Sequence, residues 1–174
     1  MTDHDRDSCY KNWLVEHGAI AFKVARSYAR TTEDCQDLVQ DILLEVWRAL
    51  PSFRERSSLS TWSYRVALNT ALSWRRGEHR RQSLQLAIAD AVAGSVSPPE
   101  SSRVLADCET VDRLYAAIRQ LPRGDAALIL LYLDGLTYGQ MAEVLGITEN
   151  NVGVKLNRAK KALGELMKEG PHEP

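Results

Sequence analysis

No apolar run in this sequence approaches the ~18 residues that a membrane-spanning helix needs. Its first ten residues, MTDHDRDSCY, are polar and acidic, unlike the apolar core of a secretory signal. These two absences predict a cytoplasmic protein with no direct membrane insertion. Cysteine is scarce. Cys9, Cys35 and Cys108 are odd in number and far apart, and no C-x-x-C occurs, which excludes a disulfide framework and the usual zinc sites. His4, His17, His79 and His172 stand alone, without metal-ligand spacing, and read as ordinary surface side chains. There is no phosphate-binding G-x-x-x-x-G-K and no carboxylate pair beside a histidine. An enzyme is therefore the weakest reading, and no catalytic residue, metal or cofactor is expected.

A large net charge is missing too: the formal total is −1. The charge is unevenly spread, however. Arg65 to Arg81 holds five arginines against one glutamate, and Lys155 to Lys161 holds four basic residues and no acid. Asp90 to Asp112 holds five acids against one arginine. A polyanion responds to local charge, so two basic patches around an acidic middle remain compatible with nucleic-acid binding.

Strand alternation and internal repeats are absent, and what remains is helical periodicity. In TTEDCQDLVQDILLEVWRAL a threonine caps, acids fill the first turn and an arginine lies near the end, as the helix dipole favours. Leu38, Ile42, Leu43, Val46 and Leu50 form one apolar stripe, with Asp37, Gln40, Asp41, Glu45 and Arg48 largely opposite, and Pro51 stops the helix. WLVEHGAIAFKVARSYAR before it reads as one more amphipathic helix. PSFRERSSLS after it reads as a loop, followed by a helix beginning at TWSYRV. The small, Pro/Ser-rich AVAGSVSPPESS reads as a flexible linker. The predicted fold is all-α: a helical domain over 1–82, a linker over 83–106, a second helical domain over 107–169 and a tail over 170–174.

In the C-terminal half, LTYGQMAEVLGITENNVGVKLNRAKKAL carries the signals of a helix-turn-helix. Thr137 and Gln140 fit a capping box, and Met141, Ala142 and Leu145 point inward. Gly146 supplies the left-handed turn, Ile147 plugs the core and Thr148 caps the next helix. Val152, Leu156, Ala159 and Leu163 make that helix's buried stripe, leaving Asn151, Lys155 and Arg158 exposed, flanked by Asn150, Val154 and Asn157. The alternative is a plain helical hairpin. Against it stands the cluster Lys155, Arg158, Lys160 and Lys161, which has almost no acidic neighbour in the sequence.

On a wheel, the Thr61–Arg76 helix places Arg65, Asn69 and Arg76 on one face, with Trp62 and Ser73 at its edge. Tyr64, Ala67, Leu68 and Ala71 fall opposite as core. A ring to stack on a base, an amide for a base edge and cations for phosphates are the chemistry of single-stranded nucleic acid. On this helix alone, a core tryptophan beside a solvated arginine face explains the pattern equally well.

The two halves together resemble a bacterial RNA polymerase sigma factor of the extracytoplasmic-function (ECF) group. The stretches that carry the resemblance are DCQDLVQDILLEVWRALPSFRERSSLSTWSYRVALNTALSWRR and IRQLPRGDAALILLYLDGLTYGQMAEVLGITENNVGVKLNRAKKAL. The resemblance implies a sigma region 2-like domain and a region 4-like domain. Asp37, Gln40 and Asp41 would dock on the clamp coiled coil of the polymerase largest subunit. Ser60, Thr61, Trp62, Arg65 and Asn69 would meet the −10 element, with Asn69 lining the pocket of a flipped base and Trp62 beside it. Arg75, Arg76, Arg80 and Arg81 would hold phosphates. Asn150, Asn151, Gly153, Val154, Lys155 and Arg158 would face the −35 element, and the same domain would pack on the β-flap. Core RNA polymerase, promoter DNA and an anti-sigma factor are the implied partners. The sequence departs from the family at Gly153, where a basic residue is common, and at Val154, where a serine is common. A stand-alone helix-turn-helix regulator with an N-terminal sensor domain is the competing reading.

Overall fold

The structure, a computed structural model, describes the backbone of residues 3–89 and 106–168 and the side chains of residues 6–74 and 109–168. Among the described residues there are eight α-helices and no strand, as the periodicity predicts. No helix among them is long and apolar enough to cross a membrane. The N-terminal half contributes α1 (Asp3–His17), α2 (Ala19–Tyr28), α3 (Thr32–Ala49) and α4 (Leu59–Ala89). The C-terminal half contributes α5 (Ala106–Gln120), α6 (Arg123–Leu133), α7 (Tyr138–Leu145) and α8 (Glu149–Lys168).

The caps read from the sequence form. Thr31 Oγ1 accepts from the Asp34 N–H at 3.1 Å and opens α3. Both bonds of the Thr137/Gln140 capping box are present on α7, and Gly146 closes that helix at φ 66°. Thr148 Oγ1 accepts from the Asn151 N–H at 3.3 Å at the start of α8. The expected single helix over 13–30 is instead two, broken at Gly18. A Cβ built there would lie 2.4 Å from the Leu14 carbonyl oxygen, so only glycine lets the chain turn this closely. The helix expected from Thr61 begins two residues earlier. Ser58 caps it, its Oγ accepting from the Thr61 N–H at 3.1 Å. α4 then runs on to Ala89, past the boundary expected at 82; residues 90–105 of the expected linker, residue 169 and the expected tail over 170–174 lie outside the described residues.

The N-terminal core gathers on α2, α3 and α4: Val24, Leu38, Ile42, Val46, Tyr64 and Ala71 are all buried. Each large aliphatic side chain so buried contributes about 1.5–3 kcal/mol. Trp13 of α1 seals one end, donating its indole N–H to Ser63 Oγ at 2.7 Å. The C-terminal core is built on α6, whose Ala126–Leu131 run is buried throughout, and is closed by Met141, Val144, Val152 and Leu156.

The two cores are continuous. α2 packs on α5 and α6, and α4 packs on α6 and α7. Polar contacts stitch the seam. Asp134, at the end of α6, accepts from both Lys23 Nζ and the Tyr64 hydroxyl. Tyr28 donates to the Arg123 carbonyl at 3.0 Å, and Arg119 donates to the Arg26 carbonyl at 2.9 Å. Arg26 in turn pairs with Asp112 and lies 4.4 Å over the Tyr115 ring. The two helical units therefore sit against each other as one body.

Candidate nucleic-acid interface

Asp37, Gln40 and Asp41 are exposed on α3, because Leu38, Val39 and Ile42 turn the opposite face into the core. On α4, Tyr64, Ala67, Leu68 and Ala71 are buried, as the wheel requires, and Asn69 and Ser73 are exposed. Trp62 and Asn69 are seven residues apart, which is two turns at nearly one angle and about 10 Å along the axis. That separation puts them in two neighbouring clefts, Asn69 lining one and Trp62 the other.

The first cleft, of about 290 Å³, is lined by Ser52, Phe53, Arg54, Arg56, Ser57, Trp62, Arg65 and Glu143. Phe53 packs against Trp62 with ring centroids 5.3 Å apart and planes tilted by 52°. Glu55 in the same loop takes a positive φ of 52°, an uncommon backbone state for a non-glycine residue. Trp62 is half-buried: it packs against the core and also lines the cleft.

The second cleft, of about 500 Å³, lies between α3 and α4 and is lined by Asp41, Leu44, Glu45, Arg48, Asn69, Thr70, Ser73 and Trp74. Thr70 returns its hydroxyl to the Val66 carbonyl at 2.9 Å, and Glu45 engages Arg48 at 2.8 Å. The amide of Asn69 bonds to no described residue. Asp41, an expected polymerase contact, and Asn69, an expected base reader, thus share one depression.

Thr61, expected at the −10 element, does not stand on the surface of α4. It is buried, and its hydroxyl lies 2.7 Å from Ser58 Oγ within the helix cap. Ser60, half-buried in the first turn, stays at the surface. Arg65 is already occupied: it donates to the Glu143 carbonyl at 2.7 Å and lies 3.4 Å from that residue's carboxylate. The side chains of Arg75, Arg76, Arg80 and Arg81 lie outside the described residues.

On α8, Val152, Leu156 and Ala159 are buried while Asn150, Asn151, Val154, Lys155, Asn157 and Arg158 are exposed, the division read from the sequence. Arg158 is not without an acidic neighbour. It lies 3.6 Å from the buried Asp125 of α6, a partner from another helix that sequence spacing cannot display. Lys160 sits 3.5 Å over the Tyr132 ring. The residue nearest Gly153 is Tyr138: a Cβ on the glycine would lie 3.5 Å from its Cε2. An exposed aromatic ring therefore stands beside the turn where the family commonly carries a basic side chain. No spacing rule marked Tyr138, Asp125, Asp134 or Glu143, since each meets its partner from a distant element.

Comparison with known proteins agrees with this layout. The sigma-70 region 2 family matches residues 14–81, and the sigma-70 region 4 family matches residues 112–163, together more than half of the chain. The ECF RNA polymerase sigma-E factor of Haemophilus influenzae is 27% identical over 139 residues, 75% of this chain and 72% of that protein. The ECF RNA polymerase sigma factor SigM of Mycobacterium tuberculosis is 28% identical over 152 residues, 87% of this chain and 73% of that protein. In fold, the chain is similar to the sigma factor RpoE of Bartonella quintana, solved in complex with the anti-sigma factor NepR. The TM-score is 0.68 at 23% identity, over 93% of this chain and 98% of that one. With both matches in the family's order on one all-helical chain, this protein belongs to the bacterial RNA polymerase sigma factors of the ECF group.

Proposed function

We propose that the chain directs transcription initiation by lending core RNA polymerase its promoter specificity, with no catalytic step of its own. α3 docks on the largest-subunit clamp through Asp37, Gln40 and Asp41. The two clefts of α4 hold unstacked bases of the −10 element: Phe53 and Trp62 offer stacking surfaces, and Asn69 offers its amide to a base edge. α8 enters the major groove of the −35 element with Asn150, Asn151 and Lys155 toward bases and Arg158 toward phosphate.

One observation carries the reading. A helix-turn-helix whose second helix has a polar, basic exposed face and a helix bearing an aromatic ring and an exposed amide occur on the same chain, in separate halves. A stand-alone regulator has use for the first and none for the second. An anti-sigma factor, the partner named for the Bartonella relative, is the natural inhibitor.

The test is run-off transcription from a promoter library with core polymerase and the purified chain. Discrete start sites are expected that depend on the chain. If the protein fails to co-elute with core polymerase in gel filtration, the proposal falls.

A further inference from the structure

The exposed face of α8 has an apolar centre. Val154 is 73% exposed, more than any other large hydrophobic side chain described in the C-terminal half. It stands two positions from Val152 and two from Leu156, both buried. At about 100° per residue it therefore points almost directly away from the core. Its neighbours on the helix surface, three and four residues away, are Asn150, Asn151, Asn157 and Arg158, all exposed. Three of these four are amides. The fourth, Arg158, lies 3.6 Å from the buried carboxylate of Asp125 on α6.

A single exposed valine is ordinary on a protein surface. Two observations set this one apart. It follows Gly153, and both residues form helix less readily than alanine, lysine or glutamate would at a surface position. Val154 recovers little of that loss through burial. The apolar surface also continues past the glycine. Beyond its chain neighbours, a Cβ at position 153 would meet only Tyr138 Cε2 within 4 Å, and the Tyr138 side chain is itself exposed. With no side chain on Gly153, nothing from that position stands between the ring and Val154.

The major groove displays one apolar group, the 5-methyl of thymine, and the paired adenine displays the N6/N7 edge that an asparagine amide matches. Guanine is the base that takes arginine or lysine. An apolar centre ringed by amides, with its one guanidinium beside a carboxylate, fits A·T pairs. We propose that α8 recognises an A·T core within the −35 element, with Val154 packed on a thymine 5-methyl, Tyr138 extending that apolar surface past Gly153, and the surrounding asparagines bonding adenine edges. The proposal rests on the assignment of α8 to the −35 element. Lys155 and Lys161, exposed on the same helix, supply the attraction to phosphate that carries no sequence information.

Replacing thymine by uracil tests this, because deoxyuridine pairs as thymidine does and lacks only the 5-methyl. The full chain is assembled with core polymerase. Duplexes with a randomised −35 element, and a fixed −10 element taken from a start site found by run-off transcription, are selected for retention. The enriched −35 core is expected to be A·T. Deoxyuridine is then placed at each of its thymines in turn. At one or two positions it should weaken binding about fourfold, the equivalent of one methyl group withdrawn from an apolar contact. In Val154→Ser the same replacements should have no effect. Serine has a helix propensity close to that of valine and the position is exposed, so the variant keeps its fold.

An enriched core of G·C pairs, or a selected core that tolerates uracil at every position, overturns the proposal while the −35 assignment stands. If Val154→Ser keeps the parent's sensitivity to uracil, another side chain reads the methyl, and the proposal is overturned in the same way. A pool with no preferred −35 sequence, or the lack of any discrete start site, removes the −35 assignment and this proposal with it.

Discussion

Gly153 has room for a methyl group and little more. Its nearest neighbour on the Cβ side is Tyr138 Cε2 at 3.5 Å, an ordinary contact distance for a new Cβ. Gly153→Ala should then raise stability by about 0.5–1 kcal/mol, through the helix propensity that glycine gives up, seen as a higher unfolding midpoint. Gly153→Arg is different, because a long side chain must displace the Tyr138 ring. It should change which −35 duplexes are enriched from a randomised pool; recovery of the parental sequences would remove the ring from the reading surface. On α4, Asn69 spends no hydrogen bond inside the described fold. Asn69→Ala should therefore cut initiation on duplex promoters well beyond any loss of core polymerase binding, measured side by side. Equal losses would make Asn69 a structural residue of the α3–α4 cleft.

At the scale of the element, helix ends were legible wherever a single residue type solves a local problem. Thr31, Thr137 with Gln140, and Gly146 each satisfy or terminate a helix through bonds to residues a few positions away. The buried stripes of α3, α4 and α8 were legible for the same reason, since burial follows angle on one helix. Two things were not. The break at Gly18 lies inside an unbroken apolar period, and what forces it is the approach of the Leu14 carbonyl. The split of the α4 face into two clefts depends on Phe53 from a loop, on Arg48 and Asp41 from α3, and on Glu143 from the other half of the chain. A wheel supplies direction but no partners. Gly18→Ala tests the first of these. With 2.4 Å between the new Cβ and a backbone oxygen, the α1–α2 corner must shift, at a cost of about 1–3 kcal/mol. Denaturant unfolding should show a lower midpoint with an unchanged slope, and an unshifted midpoint would mean the corner relaxes freely.

Across the whole molecule, the continuous core and the contacts of Asp134 with Lys23 and Tyr64 should make the two halves unfold as one unit. The sequence marked a linker and two units, and nothing in its spacing told that Tyr64 and Asp134, 70 residues apart, would meet. Calorimetry of the free chain should show one transition, while Asp134→Ala/Glu143→Ala should separate it into two; two transitions in the parent would contradict the shared core. Tyr64 adds a pH dependence with a definite sign. Burial, and then its hydrogen bond to Asp134, push the phenol well above its ordinary value of 10.0. The folded chain keeps this proton after the unfolded chain has released it. The contribution is therefore complete below about pH 10 and declines as pH rises beyond that value. A hydrogen bond to a charged acceptor contributes about 1.5–3 kcal/mol. Tyr64→Phe should lower the midpoint at pH 7 by a corresponding amount and flatten the fall in stability between pH 9.5 and 11, on the order of the range set by the phenol's unfolded value. If the alkaline fall is as steep in the variant as in the parent, other groups set it and the Tyr64–Asp134 bond does not.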